Sequence, residues 1–267
     1  MLRTKVSKLV KEIGNVFRSM EVLEATKWGV LLLLLSPKVI REGSLGRVDE
    51  AFGSHLRFRT GDQKFSFEQC SVGLVREIIG NECYIPAHEM KDFRNILDLG
   101  ANCGVFTAFA LANSPKANVV AVEAQPGLVE NAKSNISRSC SFSPRVEFFN
   151  AYVGEENAFI RQLTTGSPDV GKFSPEGYIA KVGTCDFLKC DVEGAEYDFI
   201  TPSSTWLRKV KRISLEYHGI WSDGERLAKI LESHGFQVMQ QEHGILGYLN
   251  GVRSSEVTAK TPSMFNA

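Results

Sequence analysis

The sequence predicts an α/β protein built on a mostly parallel sheet, and two patterns carry that prediction. From residue 95 onwards, short apolar runs with strand character alternate with stretches of helical spacing, and such alternation forms parallel sheets with right-handed crossovers. The last two strand-like runs, 236–240 and 245–249, are joined by a short turn around His243 and Gly244, which predicts a closing antiparallel hairpin. Hydrophobic residues make up 43% of the 267 positions and charged residues 23%, which is the composition of a globular protein.

The beginning of the chain has a mixed pattern that predicts an extension outside the main sheet. Apolar residues recur at helical spacing through the first 20 positions, and an apolar run over 28–35 is broken at Pro37. An alternating stretch at 55–59 predicts a strand, and 67–79 has the spacing of a helix. The chain therefore divides into three predicted regions: an N-terminal extension over 1–90, a main domain over 91–252 and a flexible tail over 253–267.

The main domain contains seven predicted strands, and four of them are followed directly by a predicted helix. The strands are 96–99, 119–123, 146–153, 186–191, 213–217, 236–240 and 245–249. The helices are 103–112, 127–137, 195–200 and 224–233. The strands are rich in Val, Ile, Leu and Phe, and the helices have apolar residues three and four positions apart. These elements predict a seven-stranded, mostly parallel sheet.

One segment, 157–183, interrupts the alternation of strands and helices. It is rich in Gly, Ser, Thr and Pro, which prevents a single long helix. Because it joins the third strand to the fourth, it must pass along the sheet. We predict that it forms a mobile cover over the carboxyl ends of the central strands, with Phe173 and Tyr178 placed to close on a ligand.

Charge and cysteine content exclude several classes of function. Lys plus Arg and Asp plus Glu number 31 each, so the chain lacks the basic excess of a protein that binds phosphate backbones, and no nucleic-acid partner is expected. Six cysteines without a C-x-x-C pair predict free thiols in a reducing compartment, hence a cytoplasmic location. The apolar run 28–35 is too short to cross a bilayer, which takes about 20 residues. No signal-peptide pattern indicates export.

The first 20 residues hold five basic and one acidic side chain and form a predicted amphipathic helix. Such a helix either makes peripheral contact with a membrane, here through residues 1–35, or packs on its own domain with a solvated basic face. The second interpretation is favoured. The sequence leaves the oligomeric state open.

A glycine-containing loop follows the first strand of the main domain, where residues 98–104 read DLGANCG. Gly100 and Gly104 allow a sharp strand-to-helix turn and close approach of a ligand, and Asp98 adds a carboxylate at the strand end. A dinucleotide needs G-x-G-x-x-G, and here Asn102 and Val105 replace two of its glycines, which disfavours NAD. S-adenosylmethionine carries no phosphate. It needs acceptors for its ammonium and ribose groups and only one or two close glycines, and this loop offers them.

Glu123 ends the next strand, 23 residues after Gly100. An acidic residue at this place can accept hydrogen bonds from both hydroxyls of a ribose. Together with the loop, Glu123 predicts a binding site for S-adenosylmethionine at the carboxyl end of the sheet.

Three blocks of the sequence resemble the FkbM-type family of S-adenosylmethionine-dependent methyltransferases. They are NILDLGANCGVFTAFAL, VVAVEAQPGLVENAKSNI and FLKCDVEGAE, and the likeness extends over about residues 50–250. The resemblance implies a class I methyltransferase fold, which is Rossmann-like, and methylation of a hydroxyl, often on a sugar or a secondary metabolite. One departure is that residues 184–186 run almost directly into the strand, so the usual crossover helix is absent or replaced by 157–183.

The resemblance also implies the roles of the cofactor-binding residues. Asp98, Gly100, Asn102 and Gly104 would line the methionine and ribose side of the cofactor. Glu123 would hold the ribose. Asn150 and Ala151 would flank the adenine.

The block KCDVEGAE at 189–196 places carboxylates at the carboxyl end of an inner strand, where open α/β sheets bind ligands. Alcohols are poor nucleophiles, so methyl transfer needs a base. Asp191 or Glu193 is a candidate base, and so is His218 at the end of the next strand, with an ordinary pKa near 6.5. We predict no metal, although Asp191, Glu193, Glu216 and His218 form an alternative site for a divalent ion.

The predicted function is methylation of a hydroxyl on a glycan or a small polar metabolite. Aromatic residues available to stack on a sugar are Phe173, Tyr178, Tyr217 and Trp221. Two alternatives remain: a protein of this fold that binds S-adenosylmethionine without turnover, and, less favoured, a nucleic-acid methyltransferase.

Overall fold

A computed structural model describes residues 2–138, 142–156, 158–164, 170–243 and 246–256. The strands in these residues are, in chain order, β1 (Leu56–Thr60), β2 (Gln63–Phe67), β3 (Asn95–Leu99), β4 (Asn118–Glu123), β5 (Val146–Tyr152), β6 (Gly171–Lys172), β7 (Cys185–Cys190), β8 (Val210–His218), β9 (Phe236–His243) and β10 (Leu246–Arg253).

The α-helices in these residues lie on both sides of the main sheet. They are α1 (Leu2–Ser19), α2 (Val22–Glu42), α3 (Gly46–Phe52), α4 (Val72–Val75), α5 (Val105–Asn113), α6 (Pro126–Ser137), α7 (Ala158–Leu163), α8 (Pro175–Val182), α9 (Glu196–Phe199) and α10 (Trp221–Ser233). A π-helical turn, Arg76–Gly80, directly follows α4. None of the described helices has the length and apolar character that a membrane-spanning segment needs.

The main sheet has the strand order β6-β5-β4-β3-β7-β8-β10-β9. Strand β10 is antiparallel to both of its neighbours, and the other pairs are parallel. The predicted mostly parallel sheet with a closing hairpin is therefore confirmed. It has eight strands rather than seven, because the two residues of β6 pair with Ala151 and Tyr152 at the edge. The hairpin turn predicted around Gly244 lies outside the described residues.

Side chains of neighbouring strands alternate between the two faces of this sheet. Ile96 and Phe187 face one hydrophobic cluster, and Leu97 and Leu188 face the other. Since successive side chains of a strand point to opposite faces, Asp98 and its register partner Lys189 lie on the same face as Ile96 and Phe187. This alternation brings two charged residues side by side inside the protein.

The N-terminal residues cover one face of the sheet. Val16, Trp28, Phe58 and Tyr84 are buried in one hydrophobic cluster with Phe106 of α5. The opposite face packs against α8, the 3-10 turn Thr205–Lys209 and α10. The extension therefore shares its core with the sheet, and the division of the chain at residue 90 stays a prediction.

Helix α2 runs through Pro37, where the sequence analysis placed a break. A proline inside a helix leaves the carbonyl four residues earlier without its usual partner. Here the hydroxyl of Ser36 donates to the carbonyl oxygen of Leu33 at 2.8 Å. This side-chain bond compensates for the missing backbone donor, and the helix ends instead at Gly43 in the left-handed conformation.

The stretch 67–79 is not one helix as predicted. Strand β2 ends at Phe67 and forms a two-stranded hairpin with β1, which the sequence analysis missed. Helix α4 then begins at Ser71, whose hydroxyl accepts a hydrogen bond from the backbone nitrogen of Leu74. The apolar spacing of this stretch results from residues of two different elements that contact the same core.

The segment between β5 and β7 contains two short helices, α7 and α8, and the edge strand β6. Helix α8 supplies the crossover that the sequence analysis left in doubt. Phe173 packs on Phe149 at a ring distance of 5.4 Å and on Tyr178 at 6.2 Å. These two half-buried aromatic residues therefore pack against the core, and their closing on a ligand stays a prediction. Residues 165–169 lie outside the described residues.

Candidate active site

The loop after β3 passes directly over the end of β7. Gly100 has a φ of +77°, and a Cβ at this position would lie 1.7 Å from the carbonyl oxygen of Asp191. A side chain is therefore excluded by the neighbouring backbone as well as by the cleft that Gly100 lines. Gly104, with a φ of +91°, faces Ala132 of α6, where a Cβ would lie 3.3 Å from the alanine Cβ. It lets the two helices approach each other.

The carboxylate of Glu123 is held in place by two backbone nitrogen atoms. Its carboxylate accepts hydrogen bonds from the nitrogen of Asn102 at 3.0 Å and from the nitrogen of Gln125 at 2.9 Å. Burial raises the pKa of Glu123 above its ordinary value, whereas these two hydrogen bonds act in the opposite direction. An ionised carboxylate has about four acceptor positions, so two remain for hydroxyl groups in the cleft.

Asp98 lies inside the protein rather than in the cleft. Its side chain is fully buried, accepts a hydrogen bond from Thr107 at 2.7 Å and forms an ion pair with Lys189 at 3.3 Å. Burial opposes the charge of Lys189, yet the carboxylates of Asp98 and Asp191 raise its pKa above the ordinary value. Lys189 also donates to the carbonyl oxygens of Leu99 and Gly100. Asp98 thus positions the lysine that fixes the cofactor loop.

Asn150 and Ala151 lie beside Glu123, at the end of β5. The amide of Asn150 donates to the carbonyl oxygens of Glu123 and Ala124, both at 3.0 Å. Ala151 lines the cleft itself. Asn150 therefore shapes the end of β4, and of these two residues only Ala151 faces the space where the adenine is predicted.

The cleft at these strand ends has a set of side chains that fits S-adenosylmethionine. Apolar side chains suit an adenine ring, a fixed carboxylate suits ribose hydroxyls, and further carboxylates suit the ammonium group. The apolar residues include Val122, Leu128, Ile160 and Leu163, the fixed carboxylate is Glu123, and the further carboxylates are Asp191 and Glu193. Gly100 and Asn102 also line the cleft, and Ile160 and Leu163 belong to α7.

A second pocket of about 410 Å³ adjoins this cleft. The two share Gly100, Asn102, Asp191 and Glu193, so a group held in one can reach the other. The N-terminal extension closes the second pocket with Leu74, Glu77, Ile78 and Tyr84. We call this space the acceptor pocket.

Glu216 of β8 lines the acceptor pocket and is 7% exposed. The hydroxyl of Tyr84 lies 3.3 Å from its Oε2 atom. Burial, followed by the charges of Asp191 and Glu77, raises the pKa of Glu216 to about 7. A base works best when its pKa is close to the working pH, and Glu216 meets that condition.

Asp191 lies at the junction of the cleft and the acceptor pocket. Its Oδ2 atom accepts a hydrogen bond from Tyr84 at 3.1 Å and lies 3.9 Å from the ammonium of Lys189. The extension therefore contacts Asp191 and Glu216 through the same tyrosine hydroxyl.

His218 is held between two glutamates. Its Nε2 atom lies 3.1 Å from Glu193 and its Nδ1 atom 3.3 Å from Glu196. Burial lowers the pKa of His218, but the hydrogen bond to Glu196 and the charges of Glu196, Glu193 and Asp191 outweigh it and raise the pKa to about 9. The expectation of an ordinary pKa is wrong. His218 is protonated at neutral pH, so it is not a ready base in the free protein.

Glu196 shapes the loop that carries Glu193. One oxygen of the fully buried Glu196 carboxylate accepts from the backbone nitrogens of Val192 at 3.3 Å and Gly194 at 3.2 Å. Within this loop Glu193 adopts a left-handed conformation with a φ of +52°. The side chain of Glu193 is 62% exposed. Glu196 therefore has a structural role here.

Asp191, Glu193 and His218 can each place one ligand atom within 4.8 Å of the other two. This geometry is the basis of the alternative interpretation, in which these residues bind a divalent ion. At neutral pH the protonated His218 carries a hydrogen on each ring nitrogen, and a metal ligand must lose one. Coordination of an ion by His218 would therefore require the loss of one of these protons.

Three aromatic residues suggested for sugar stacking do not face the acceptor pocket. Tyr217 is 1% exposed and accepts a hydrogen bond from Gln240 at 2.8 Å on the other side of the sheet, because it alternates with Glu216 and His218 along β8. Phe173 and Tyr178 are half-buried and pack against the core away from this pocket, and the side chain of Trp221 is outside the described set. Tyr84 and Phe106 are the aromatic residues that line the pocket.

Sequence reasoning missed Tyr84 and Glu77, and it assigned Glu216 only to the alternative metal site. Nothing in the sequence links the extension to the strand ends, so Tyr84 and Glu77 carried no signal. Glu216 did carry one, because its spacing from His218 places both side chains on one face of β8.

A parallel sheet with a glycine turn after its first strand, an acidic residue ending the second and a closing antiparallel hairpin defines a class I methyltransferase, an enzyme that uses S-adenosylmethionine. The sequence profile of the methyltransferase FkbM domain matches residues 98–238, which is more than half of the chain. The chain belongs to this family, as the resemblance predicted.

Three of the solved structures to which this chain is similar are the following. Precorrin-6y C5,15-methyltransferase from Geobacter metallireducens has a TM-score of 0.44 and 16% identity over 63% of this chain and 84% of its own. The fibrillarin pre-rRNA processing protein of Methanococcus jannaschii has a TM-score of 0.43 and 15% identity over 61% and 68%. An O-methyltransferase family protein from Burkholderia thailandensis has a TM-score of 0.39 and 16% identity over 63% and 53%. No curated protein matches the sequence significantly.

Replacing Glu123 by Gln is expected to weaken S-adenosylmethionine binding about 10- to 100-fold, because hydrogen bonds to a charged acceptor contribute about 1.5–3 kcal/mol. The amide has the shape of the carboxylate but turns one acceptor into a donor that faces a backbone nitrogen. Isothermal titration calorimetry measures the affinity. Glu130→Gln, on the exposed side of α6, is the matched control and should bind normally. Equal affinity in Glu123→Gln and the wild type would contradict the assignment.

Proposed function

We propose that this methyltransferase transfers the methyl group of S-adenosylmethionine to a hydroxyl of a glycan or a small polar metabolite. The observation that carries the proposal is the acceptor pocket, which adjoins the cofactor cleft and contains Glu216 with a pKa of about 7. A hydroxyl must lose its proton during methylation, and a carboxylate of this pKa is suited to accept it.

Different residues of the acceptor pocket have different roles in the reaction. S-adenosylmethionine supplies a methyl group on a positively charged sulfur. Glu216 accepts the proton of the attacking hydroxyl, and Tyr84 fixes the carboxylate from 3.3 Å. Asp191, where the two spaces meet, is placed to accept a hydrogen bond from the substrate. The pocket must also hold the hydroxyl oxygen in line with the methyl carbon and the sulfur, because this alignment is a main contribution of a protein to a displacement reaction.

The charge of the acceptor pocket supports an uncharged, hydroxyl-rich substrate. Four carboxylates line it, those of Glu77, Asp191, Glu193 and Glu216. The protonated His218 also lines the pocket, but Glu193 and Glu196 already pair with it. The ammonium of Lys189 is already engaged by Asp98. Carboxylates accept hydrogen bonds from sugar hydroxyls and repel phosphate groups, so this charge distribution disfavours a nucleic acid.

The test is a product assay with methyl-labelled S-adenosylmethionine. Purified protein is offered neutral oligosaccharides, small polar alcohols from cell extracts, RNA and DNA, and mass spectrometry identifies the labelled product. We expect an ether methyl group on a neutral hydroxyl compound. Label confined to nucleic acid would contradict the proposed substrate class. Tight S-adenosylmethionine binding without any product would favour the non-catalytic alternative.

A further inference from the structure

The first two helices carry an unusual amount of exposed apolar surface. Of the nine large apolar side chains that are strongly exposed in the described part of the chain, eight belong to α1 and α2. Six of them lie on α2: Val22 (80% exposed), Leu23 (61%), Val30 (52%), Leu33 (75%), Leu34 (71%) and Ile40 (77%). A single exposed apolar residue needs no explanation, but a contiguous patch marks an interaction surface.

The six side chains form one continuous face. At about 100° per residue they fall within an arc of about 120° around the helix axis. We call it the outer face of α2. The opposite side of the helix is buried through Ala25, Trp28 and Val39, and the indole nitrogen of Trp28 donates to Asp49 at 2.9 Å. These buried contacts fix the rotation of the helix, so its outer face cannot turn inward.

Basic residues accompany the outer face. Helix α2 has three Lys and Arg against two Glu, and the stretch from Leu2 to Glu42, which includes α1, has a net charge of +4, although the whole chain is neutral. Lys27 lies 3.4 Å from Glu24 in an ion pair. Lys27 and Lys38 are exposed on α2 and lie along one border of the outer face. An apolar stripe with a basic border is typical of helices that lie in the plane of an anionic membrane surface.

We propose that the outer face of α2 docks this protein on the surface of an anionic lipid bilayer. Leucine and isoleucine side chains enter the boundary between headgroups and acyl chains, and the lysines contact lipid phosphates. A second copy of the chain fits less well, because two surfaces of net positive charge would face each other. The apolar face alone could contact either a bilayer or a second copy of the chain. The positive charge favours the bilayer.

The docking face and the acceptor pocket belong to the same extension. Helix α1 packs on the π-helical turn Arg76–Gly80, where Arg76 lies 3.8 Å from Glu12. The same turn contributes Glu77 and Ile78 to the acceptor pocket. Helix α1 thus links the part of the chain that carries the docking face to a wall of that pocket.

A vesicle flotation assay tests the proposal. Phosphatidylcholine vesicles with about 25% phosphatidylglycerol are compared with pure phosphatidylcholine. We expect the protein to float with the anionic vesicles, to bind the neutral ones more weakly and to lose binding as salt rises. The triple variant Val30→Ser/Leu33→Gln/Leu34→Gln should bind at least about tenfold more weakly, because three exposed apolar side chains no longer enter the bilayer.

The controls separate docking from misfolding. Ile220→Gln changes an apolar side chain of similar exposure, 71%, outside α1 and α2, and should float like the wild type. The triple variant should keep wild-type affinity for S-adenosylmethionine, since none of its positions lines the cofactor cleft. The proposal is overturned if the wild type ignores anionic vesicles, if the triple variant floats equally well, or if light scattering shows a stable dimer that the triple variant loses without any vesicle binding.

Discussion

Glu216→Gln is expected to lower kcat by about 10²-fold or more, which is the usual contribution of a positioned general base. Glutamine has the same shape and can still form a hydrogen bond with the Tyr84 hydroxyl, which lies 3.3 Å from Glu216. It cannot take up a proton. The loss therefore measures proton transfer rather than packing, and a product assay at saturating substrate records it.

The pH dependence of kcat/KM gives the second readout for Glu216. Below about 7 the wild-type carboxyl group is protonated and cannot act as a base, so kcat/KM should rise with pH and level off above the pKa of Glu216. This rise should be absent in Glu216→Gln. Glu77→Gln is the control, because Glu77 lines the same pocket and accepts a hydrogen bond from Tyr248 at 2.6 Å. It should change KM and keep the rise, displaced to lower pH because the charge of Glu77 contributes to the raised pKa of Glu216. A full rate in Glu216→Gln would leave Asp191 or Glu193 as the base.

Lys189→Met is expected to lower the free energy of unfolding by about 3–5 kcal/mol, the usual cost of removing one partner of a buried ion pair. The side chains of Lys189 and Asp98 are 3% and 0% exposed. Without the lysine, Asp98 keeps a buried charge whose remaining side-chain partner is Thr107. Since the whole stability of a domain is about 5–15 kcal/mol, urea denaturation followed by circular dichroism will detect the change.

The double variant Asp98→Asn/Lys189→Met separates the charge effect from a packing defect. With both charges removed, no unpaired carboxylate is left at position 98, so the double variant should be more stable than Lys189→Met alone. The surface pair of Lys133 and Glu130 at 2.8 Å provides a control, because Lys133→Met should cost less than about 1 kcal/mol. A similarly small loss in Lys189→Met would refute the idea that the buried pair is essential.

The sequence was sufficient for most of the sheet because its signals are local. Apolar runs bounded by turns located β3, β4, β5, β7 and β8, and the closing hairpin followed from two neighbouring runs. The extension was harder to predict. Its strand β2 and its helix α4 contribute apolar residues to the same core. The apolar residues across these two elements therefore recur with the period of a helix, although the two elements do not form one helix.

The sequence also located the cofactor cleft, since the carboxyl ends of parallel strands meet at one edge. Gly100, Asn102, Glu123 and Ala151 all line it. Asp98 was assigned to the same cleft, yet its side chain points into the core. The sequence identifies a strand end, but whether a residue there faces a ligand or a buried lysine depends on the register between β3 and β7.

The sequence by itself determined the class of the protein, most of the strands of its sheet and the place of its cofactor cleft, because these follow from local periodicity and from a few glycines and acids at strand ends. Only the tertiary structure decided the chemistry of the acceptor pocket. The pKa values of Glu216 and His218 depend on burial and on neighbouring charges, and Tyr84 reaches Glu216 from 132 residues away in the chain. Desolvation and Coulomb interactions act through space, and a linear pattern does not contain the distances that set them.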